Sequence, residues 1–439
     1  MSLLTISGLF IQLIALAIFI RKLGRQCLGS IGFLLMVVTF FFHGLTEIVQ
    51  VTFPGQNLYR DMTEQIYLDY FVLLVSIGML FFTLCYFARR PPRISPRRLD
   101  VVISSLSTSF LLRWPVLIGI ALPSFLLVAL RDQNLAINYW TGGLSDQFTT
   151  ILLVVAFSTL CIRWRGRNFF AMVSGFAILL ITAGSRTLIV LGITTAISVL
   201  ARCGVRLPLR SIAAGGLAVG LCFAILSTTR ASYGRFNSGE SFGARLDAIA
   251  TSTRESGDGE SKDAMVSDTA YRFDGNSYGA IILQKQMQGF GITGADQLLA
   301  TVEYMIPSFL FPGKLTLGVE MRNEEAYTDS FYQLSADIDY VSDLWSLLLG
   351  YVGSIGLLIC FALLGAIFAA LDSRLITKSS SYYYLAGVFL ALFPLNLEQG
   401  ISGVIYLARA FAAIAALEWV LCLLTARAKT GQALVARPV

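Results

Sequence analysis

The chain has 439 residues, of which 56% are hydrophobic and only 14% charged, and its mean hydropathy is +0.71. Apolar runs of about 18 or more residues recur along the whole length, which indicates a polytopic α-helical membrane protein and argues against a large soluble core. Seven cysteines without a Cys-x-x-Cys spacing, and a single histidine, exclude a disulfide-stapled exported domain and a His-rich metal site. The net charge of +6 needs no nucleic-acid partner, because membrane topology explains it.

Hydropathy predicts eleven membrane spans in chain order. They cover residues 3–20, 30–52, 66–87, 109–130, 148–162, 168–183, 187–201, 211–228, 343–371, 382–397 and 402–425. The predicted fold class is an all-α polytopic membrane protein with one large external loop between spans eight and nine. We divide it into an N-terminal transmembrane bundle (1–228), the loop (229–342), and C-terminal helices with a tail (343–439).

Arginine and lysine accumulate in the loops that follow the odd-numbered spans. Examples are Arg21 and Lys22 after the first span and Arg202 after the seventh. Basic loops stay on the cytoplasmic side, so we predict an external N-terminus, a cytoplasmic C-terminus and an external 229–342 loop. The first span has its charges behind it and is predicted to be a reverse signal anchor, not a cleaved signal peptide.

The long loop differs in composition from everything around it. It carries nine basic and sixteen acidic residues, a net charge of −7. Residues 251–267 are rich in serine, glycine and charge, whereas 278–287 and 297–306 have helical apolar spacing and are predicted to be short helices at the membrane face. Since loops on a rigid scaffold often carry function, we expect the working part of the protein here.

Several cations lie where a membrane protein rarely puts them. Arg186 lies in a Gly-Ser-Arg turn between two short predicted spans, and we interpret it as a recessed cation for an anionic lipid headgroup, with an ordinary snorkelling arginine as the alternative. Arg409 lies within span eleven, where a charge needs a partner or a wet cavity; Glu398 is one candidate partner. His43 and Glu47, one turn apart in span two, are interpreted as a structural pair.

Together these cations provide enough positive charge to hold a diphosphate. Arginine suits this task because its planar fork binds phosphate oxygens bidentately. The candidate diphosphate-binding residues are Arg186, Arg230, Arg235, Lys314 and Arg409, with Arg272 nearby in the loop. For the two arginines that leave span eight, Arg230 and Arg235, simple contact with lipid headgroups remains the alternative.

Four segments form a recognisable pattern: the Gly-Ser-Arg turn at Arg186, then Arg272-Phe-Asp274-Gly, Pro307-Ser-Phe-Leu-Phe-Pro-Gly-Lys314 and Gly350-Tyr-Val-Gly353-Ser-Ile-Gly356. On a many-span scaffold with one long external loop, this pattern resembles the O-antigen polymerase (Wzy-type) and O-antigen ligase superfamily. These segments are similar to the Pro-Arg-x-Leu-Trp-Pro-x-Lys-Pro and Phe-Gly-x-x-Gly patterns of repeat-unit polymerases. Two positions depart from the pattern: Ser308 stands where an arginine is common, and no proline follows Lys314.

This resemblance implies a GT-C-like membrane glycosyltransferase at the periplasmic face of a bacterial inner membrane. It would polymerise oligosaccharide repeat units carried on undecaprenyl diphosphate, which serve as donor and acceptor, into O-antigen or exopolysaccharide. No cofactor or metal would be needed; a chain-length regulator and a flippase are the expected partners. Arg272, with the other cations, would stabilise the departing diphosphate.

A base for the acceptor hydroxyl is expected among the acidic residues of the loop. Asp274 is the favoured candidate, because Arg272 is two residues away in the chain; Glu324, Asp339 and Tyr271 are assigned to binding the acceptor or its sugars. Two other activities stay open: a ligase that transfers glycan to lipid A core, and a transporter of lipid-linked sugars, which would predict interrupted helices with ligand residues near the midplane. A membrane peptidase is disfavoured because the loop holds no cysteine.

Overall fold

The computed structural model describes residues 2–52, 63–88, 98–109, 111–113, 119, 144–164, 173, 186–205, 217, 251, 274–294, 296–297, 299, 324–334, 342–377, 381–394 and 400–435. These residues are overwhelmingly helical and include no strand, so the all-α class is confirmed for them. Within them, five helices are long and apolar enough to cross a membrane: Leu3–Leu23, Ile31–Gln50, Gln65–Phe87, Leu344–Leu375 and Gly400–Leu423.

The remaining predicted spans stay predictions. Three of them coincide with shorter apolar helices, Ile151–Arg163, Leu191–Arg202 and Tyr382–Leu392. The predicted spans 109–130, 168–183 and 211–228 lie almost wholly outside the described residues. The total of eleven therefore remains a prediction from the sequence.

We number the described helices in chain order. They are α1 (Leu3–Leu23), α2 (Ile31–Phe40), α3 (Thr46–Thr52), α4 (Gln65–Phe87), α5 (Arg98–Thr108), α6 (Leu144–Arg163), α7 (Arg186–Arg202), α8 (Gly275–Met287), α9 (Glu324–Phe331), α10 (Leu344–Thr377), α11 (Ser381–Leu392) and α12 (Gly400–Val435). A 3₁₀ turn, Gly24–Gly29, joins α1 to α2. The predicted loop helix 278–287 is confirmed as part of α8, whereas most of 297–306 lies outside the described residues.

A short helix lies where the sequence predicted a loop. Helix α5, Arg98–Thr108, lies wholly in the predicted basic loop between spans three and four. It forms because Val102 and Leu106 recur at helical spacing, and both are buried. The helix packs against α6 and α11.

The second span contains a π-helical turn. This turn, Phe41–Leu45, lies between α2 and α3, and the hydroxyl of Thr46 donates to the carbonyl oxygen of Phe41 at 3.0 Å, five residues back. Gly44 lies in the same turn, where a Cβ would approach Oε1 of Gln12 on α1 closely. π-turns of this kind occur inside helices mostly at functional positions, and this one contains the only histidine of the chain.

Helix α4 is the centre of the best-packed part of the bundle, since it contacts α1, α8 and α10. Two glycines permit the close approach of α4 and α10. A Cβ on Gly78 would lie 2.2 Å from the ring of Phe361, and a Cβ on Gly365 would lie 2.3 Å from the carbonyl oxygen of Phe82. Small residues at such contacts are typical of helices that associate in a membrane.

The basic ends of several helices meet in one buried cluster around Asp372. Its Oδ2 accepts from the hydroxyls of Ser30, at 2.9 Å, and Tyr86, at 2.8 Å. Nearby, Nε of Arg202 donates to the carbonyl oxygen of Gly29 at 3.1 Å. The cluster thus brings together the ends of spans one, three, seven and nine, as the alternation of charged loops predicted. We call the side of the bundle that contains this cluster the basic face. Which face is cytoplasmic remains a prediction.

Helix α10 is a hairpin of two helical arms and does not form the single predicted span 343–371. Gly353 interrupts it with φ 70° and ψ −178°, a conformation that favours glycine. The rings of Trp345 and Phe361 stack with centroids 3.7 Å apart, although residues 16 positions apart in a straight helix are separated by about 24 Å. Residues 344–352 and 354–377 therefore run back on each other, with the apex at Gly353.

The hairpin places the start of α10 well inside the bundle. The indole N–H of Trp345 donates to Thr39 on α2 at 3.0 Å, and Thr39 is nine residues, or about 14 Å, along that span from Ser30 in the basic-face cluster. The first arm rises from this depth to the apex, and the second arm then crosses to Asp372. The first arm is thus a half-helix whose N-terminus lies beside the middle of the second span.

Candidate functional site

Two helix N-termini meet beside the only histidine. Helix α8, from the long loop, begins after Asp274, and the hairpin helix α10 begins after Asp343. Both aspartates are buried, and both lie close to His43 in the π-turn of the second span. We call the set His43, Glu47, Gln50, Asp274, Asn276, Ser277 and Asp343 the His43 cluster.

Asp274 is the N-cap of α8. Its Oδ1 accepts from the backbone N–H groups of Asn276 and Ser277, each at 3.2 Å. Its Oδ2 accepts from the hydroxyl of Ser277 at 2.7 Å and from the side-chain amide of Gln50, on α3, at 3.1 Å. Aspartate at this position satisfies N–H groups that a helix start leaves unpaired, and here it also fastens the loop helix to the second span.

Asp343 is placed in the same way at the start of α10. Its Oδ1 accepts from the backbone N–H of Ser346 at 2.7 Å, and the hydroxyl of Ser346 accepts from the backbone N–H of Asp343 at 3.0 Å. This reciprocal pair resembles a capping box. The other carboxylate oxygen, Oδ2, lies 2.5 Å from Nε2 of His43. Gly275 makes the approach possible, because a Cβ there would lie 3.1 Å from that oxygen.

Asn276 fixes the protonation pattern of the imidazole. Its side-chain amide nitrogen donates to Glu47 Oε1 at 2.8 Å and to the backbone carbonyl of His43 at 3.0 Å, so its oxygen must face His43. That oxygen lies 2.7 Å from Nδ1, and an amide oxygen only accepts. Nδ1 therefore carries a hydrogen in this arrangement, and Nε2 faces the carboxylate of Asp343.

The His43 cluster concentrates charge in a buried place. Three carboxyl groups, on Glu47, Asp274 and Asp343, surround one imidazole, and each of these side chains is at most 3% exposed. Ionisable groups at membrane depth are costly and usually functional, and the positive ends of two helices offset part of the negative charge here. Chemically, the arrangement can hold a proton, and mechanically it locks the loop helix into the membrane bundle.

A second contact ties the loop to the last span. Glu324, the first residue of α9, accepts from the backbone N–H groups of Ile401 and Ser402 at 3.3 and 2.9 Å, and so caps α12. Burial raises the pKa of Glu324 to about 7, and hydrogen bonds from those N–H groups and from Tyr351 only partly oppose it. Gly400 is required beside it, with φ 55°, because a Cβ would lie 2.7 Å from the carboxylate.

Helices α8 and α9 are joined to each other by buried polar contacts. The hydroxyl of Tyr278 donates to Asp329 Oδ1 at 2.8 Å, and burial raises the pKa of Asp329 to about 6. The side-chain amide of Gln286 donates to the hydroxyl of Tyr332 at 2.9 Å and to the carbonyl of Leu349 on α10 at 3.0 Å. The described part of the loop is therefore packed onto the bundle on the side away from the basic face.

The structure places some of the predicted site residues and not others. Asp274 lies in the His43 cluster, and Glu324 lies at the start of α12. Arg409 is half-buried in α12, with its guanidinium carbon 5.2 Å from the ring centre of Tyr406. The backbone of Arg186 begins α7, opposite the Arg202 end, but nothing is described of its side chain. Six predicted site residues lie outside the described part of the chain: Arg230, Arg235, Tyr271, Arg272, Lys314 and Asp339. Glu398, the predicted partner of Arg409, also lies outside it.

Sequence reasoning missed the partners of Asp274. His43 and Glu47 were interpreted as a structural pair, but they are joined through Asn276 of the loop, more than 200 residues away. Asp343 was taken as the boundary of a span. The signal that could have found these residues is local: Asp274-Gly-Asn-Ser277 and Asp343-Leu-Trp-Ser346 both have the spacing of helix caps.

Compared with known proteins, the chain matches no protein-family model, no curated protein and no solved structure. Among the residues that the structure describes, no group of three or more His, Cys, Asp or Glu side chains is arranged to hold a metal ion.

Proposed function

We propose that this protein is a membrane glycosyltransferase that polymerises repeat units carried on a polyprenyl diphosphate, undecaprenyl diphosphate in bacteria. The observation that supports the proposal is the His43 cluster. It joins Asp274, from the loop segment that resembles repeat-unit polymerases, to buried ionisable groups of the membrane helices. Loop and bundle thus form one buried polar site, in which charged groups of both could act on a lipid-linked substrate.

In this proposal the roles are divided between cations and acids. Arg186, Arg272, Lys314 and Arg409 would stabilise the charge that develops on the departing diphosphate. Arg230 and Arg235 would lie at the entrance of this diphosphate-binding site. Asp274 is buried and accepts four hydrogen bonds, so in this conformation it positions the chain that carries Arg272, two residues before it. His43 and Asp343 lie beside the same helix start, and the pair would accept the proton that an acceptor hydroxyl releases.

Arginine substitutions test the proposal in cells. We expect Arg186→Ala, Arg272→Ala and Arg409→Ala each to give stable, inserted protein, and surface glycan that stops at a single repeat unit. Arg21→Ala is a matched control, because Arg21 is exposed at the basic end of α1. The glycan ladder of a deletion strain that expresses each variant is the measurement. Full-length chains from all three variants would refute the diphosphate-binding role.

A transporter of lipid-linked sugar is the second candidate, and one observation favours it. Discontinuous helices whose ends meet near the midplane are typical of secondary transporters, and the first arm of α10 is such a half-helix. A deletion strain separates the activities by what it retains. Single capped units with loss of long chains support a polymerase; loss of all capped core supports a ligase; accumulation of lipid-linked units inside the cell supports a transporter.

A further inference from the structure

Apolar side chains are exposed at the apex of the α10 hairpin and on the loop turn beside it. Val352 and Ile355 flank Gly353 at the apex, and Ile355 is 78% exposed. On the loop, Met287, the last residue of α8, is 73% exposed, and Ile292 is 53% exposed. We call these four residues the apolar rim. A group of exposed apolar side chains of this kind marks a surface that another apolar phase covers.

The loop turn is fixed on the hairpin. The backbone N–H of Thr293 donates to the carbonyl of Gly350 at 2.9 Å, and the hydroxyl of Tyr332 donates to the carbonyl of Gly291 at 3.1 Å. A Cβ on Gly353 would lie 3.4 Å from Ile292, so Ile292 is seated directly at the apex. The apolar rim is therefore one surface made of two chain segments. Its loop residues are held in place by hydrogen bonds to the hairpin and to Tyr332.

The level of this surface can be calculated from the second arm of the hairpin. Gly353 and Asp372 are 19 residues apart, which corresponds to about 28 Å of helix, close to the roughly 30 Å thickness of a bilayer core. Asp372 lies in the basic-face cluster, so the apex lies at the opposite boundary of the hydrocarbon. Between the two ends, an exposed apolar stripe with a spacing of four residues faces the lipid: Ile355, Ile359, Leu363 and Ile367.

We propose that the apolar rim inserts into the acyl chains of the leaflet on the loop side, so that the turn after α8 is a membrane-seated part of the loop. The occupant is lipid because Ile355 belongs to both the rim and the lipid-facing stripe, so the two surfaces are continuous. Lys285, whose ammonium lies 5.3 Å from the centre of the Phe290 ring, is placed just before Met287, as a snorkelling cation at headgroup level would be. This inference is independent of the proposed enzymatic activity.

Photocrosslinking in vesicles tests the inference. The full-length protein is reconstituted in phosphatidylcholine and phosphatidylglycerol vesicles with p-benzoylphenylalanine at position 292, 359 or 296, and adducts are identified by mass spectrometry. Position 359 is the lipid-facing reference. Position 296 is the matched control, because Asp296 is exposed and lies near Tyr327 of α9. Burial raises the pKa of Tyr327, and the charge of Asp296 raises it further.

We expect phospholipid adducts at position 292 in a yield comparable to position 359, and much lower yield at position 296. Gel filtration of each variant checks that it is folded before irradiation. Two results would overturn the proposal. One is a yield of phospholipid adducts at position 292 as low as at position 296. The other is an adduct at position 292 that joins two chains, which would assign the rim to a second copy of the protein.

Discussion

The buried carboxyl group of Glu324 makes a specific prediction about stability and pH. Burial raises its pKa in the folded protein from 4.5 to about 7. A carboxyl whose folded pKa lies above its unfolded value binds more protons in the folded state, so the free energy of unfolding falls as pH rises through this window. The full difference corresponds to about 3 kcal/mol, an order-of-magnitude value, and it is lost mainly between about pH 4.5 and 7.

Thermal unfolding of the purified protein in detergent, followed from pH 5 to 8.5, measures this contribution. Glu324→Gln removes the titrating group, so the stability of the variant relative to the wild type should improve by about 3 kcal/mol across that range. Glu325→Gln is the matched control on the same helix, because Glu325 is only half-buried, and it should retain most of the wild-type pH dependence. Equal pH slopes for the wild type and Glu324→Gln would refute the reasoning.

Two further predictions concern the hairpin and the His43 cluster. Gly353→Val places a β-branched residue at φ 70° and should lower the stability by about 1–3 kcal/mol, measured by thermal unfolding. Gly350→Ala is the control and should cost little, because its Cβ would meet its neighbours at an ordinary 3.6 Å. Equal effects of the two substitutions would contradict the hairpin. Asn276→Leu removes the amide that joins Nδ1 of His43 to the carboxylate of Glu47. The substitution should lower the stability of the protein by about 1–3 kcal/mol per lost partner and make the loop more sensitive to limited proteolysis. Unchanged proteolysis would show that the cluster does not hold the loop.

Hydropathy and charge predicted the helical class, the membrane environment and the grouping of helix ends, because a bilayer imposes length and apolarity on every span. They could not predict the hairpin of α10, since a hydropathy profile does not record a reversal of direction. The glycines of Gly350-Tyr-Val-Gly353-Ser-Ile-Gly356 were visible in the sequence. Only the tertiary stacking of Trp345 on Phe361 shows that the chain reverses at Gly353, where φ is 70°.

The candidate site was predictable only in part, because the sequence does not show which distant residues meet. Asp274 was identified from its motif, and its role as a helix cap follows from its position before α8. Its neighbours were not identified, because His43 and Asp343 come from distant parts of the chain and each has an ordinary local explanation. Only their meeting at one imidazole shows that Asp274, within the loop, and Asp343, directly after it, come together inside the bundle.

The most direct test of the proposed activity is a reaction of the purified protein. Proteoliposomes containing the wild-type protein are supplied with repeat units on undecaprenyl diphosphate and analysed for glycan length and released undecaprenyl diphosphate. The proposal predicts a ladder of multiples of the repeat unit, with one undecaprenyl diphosphate released for each bond formed. Movement of the lipid-linked unit across the membrane without any increase in glycan length would contradict it and favour the transporter.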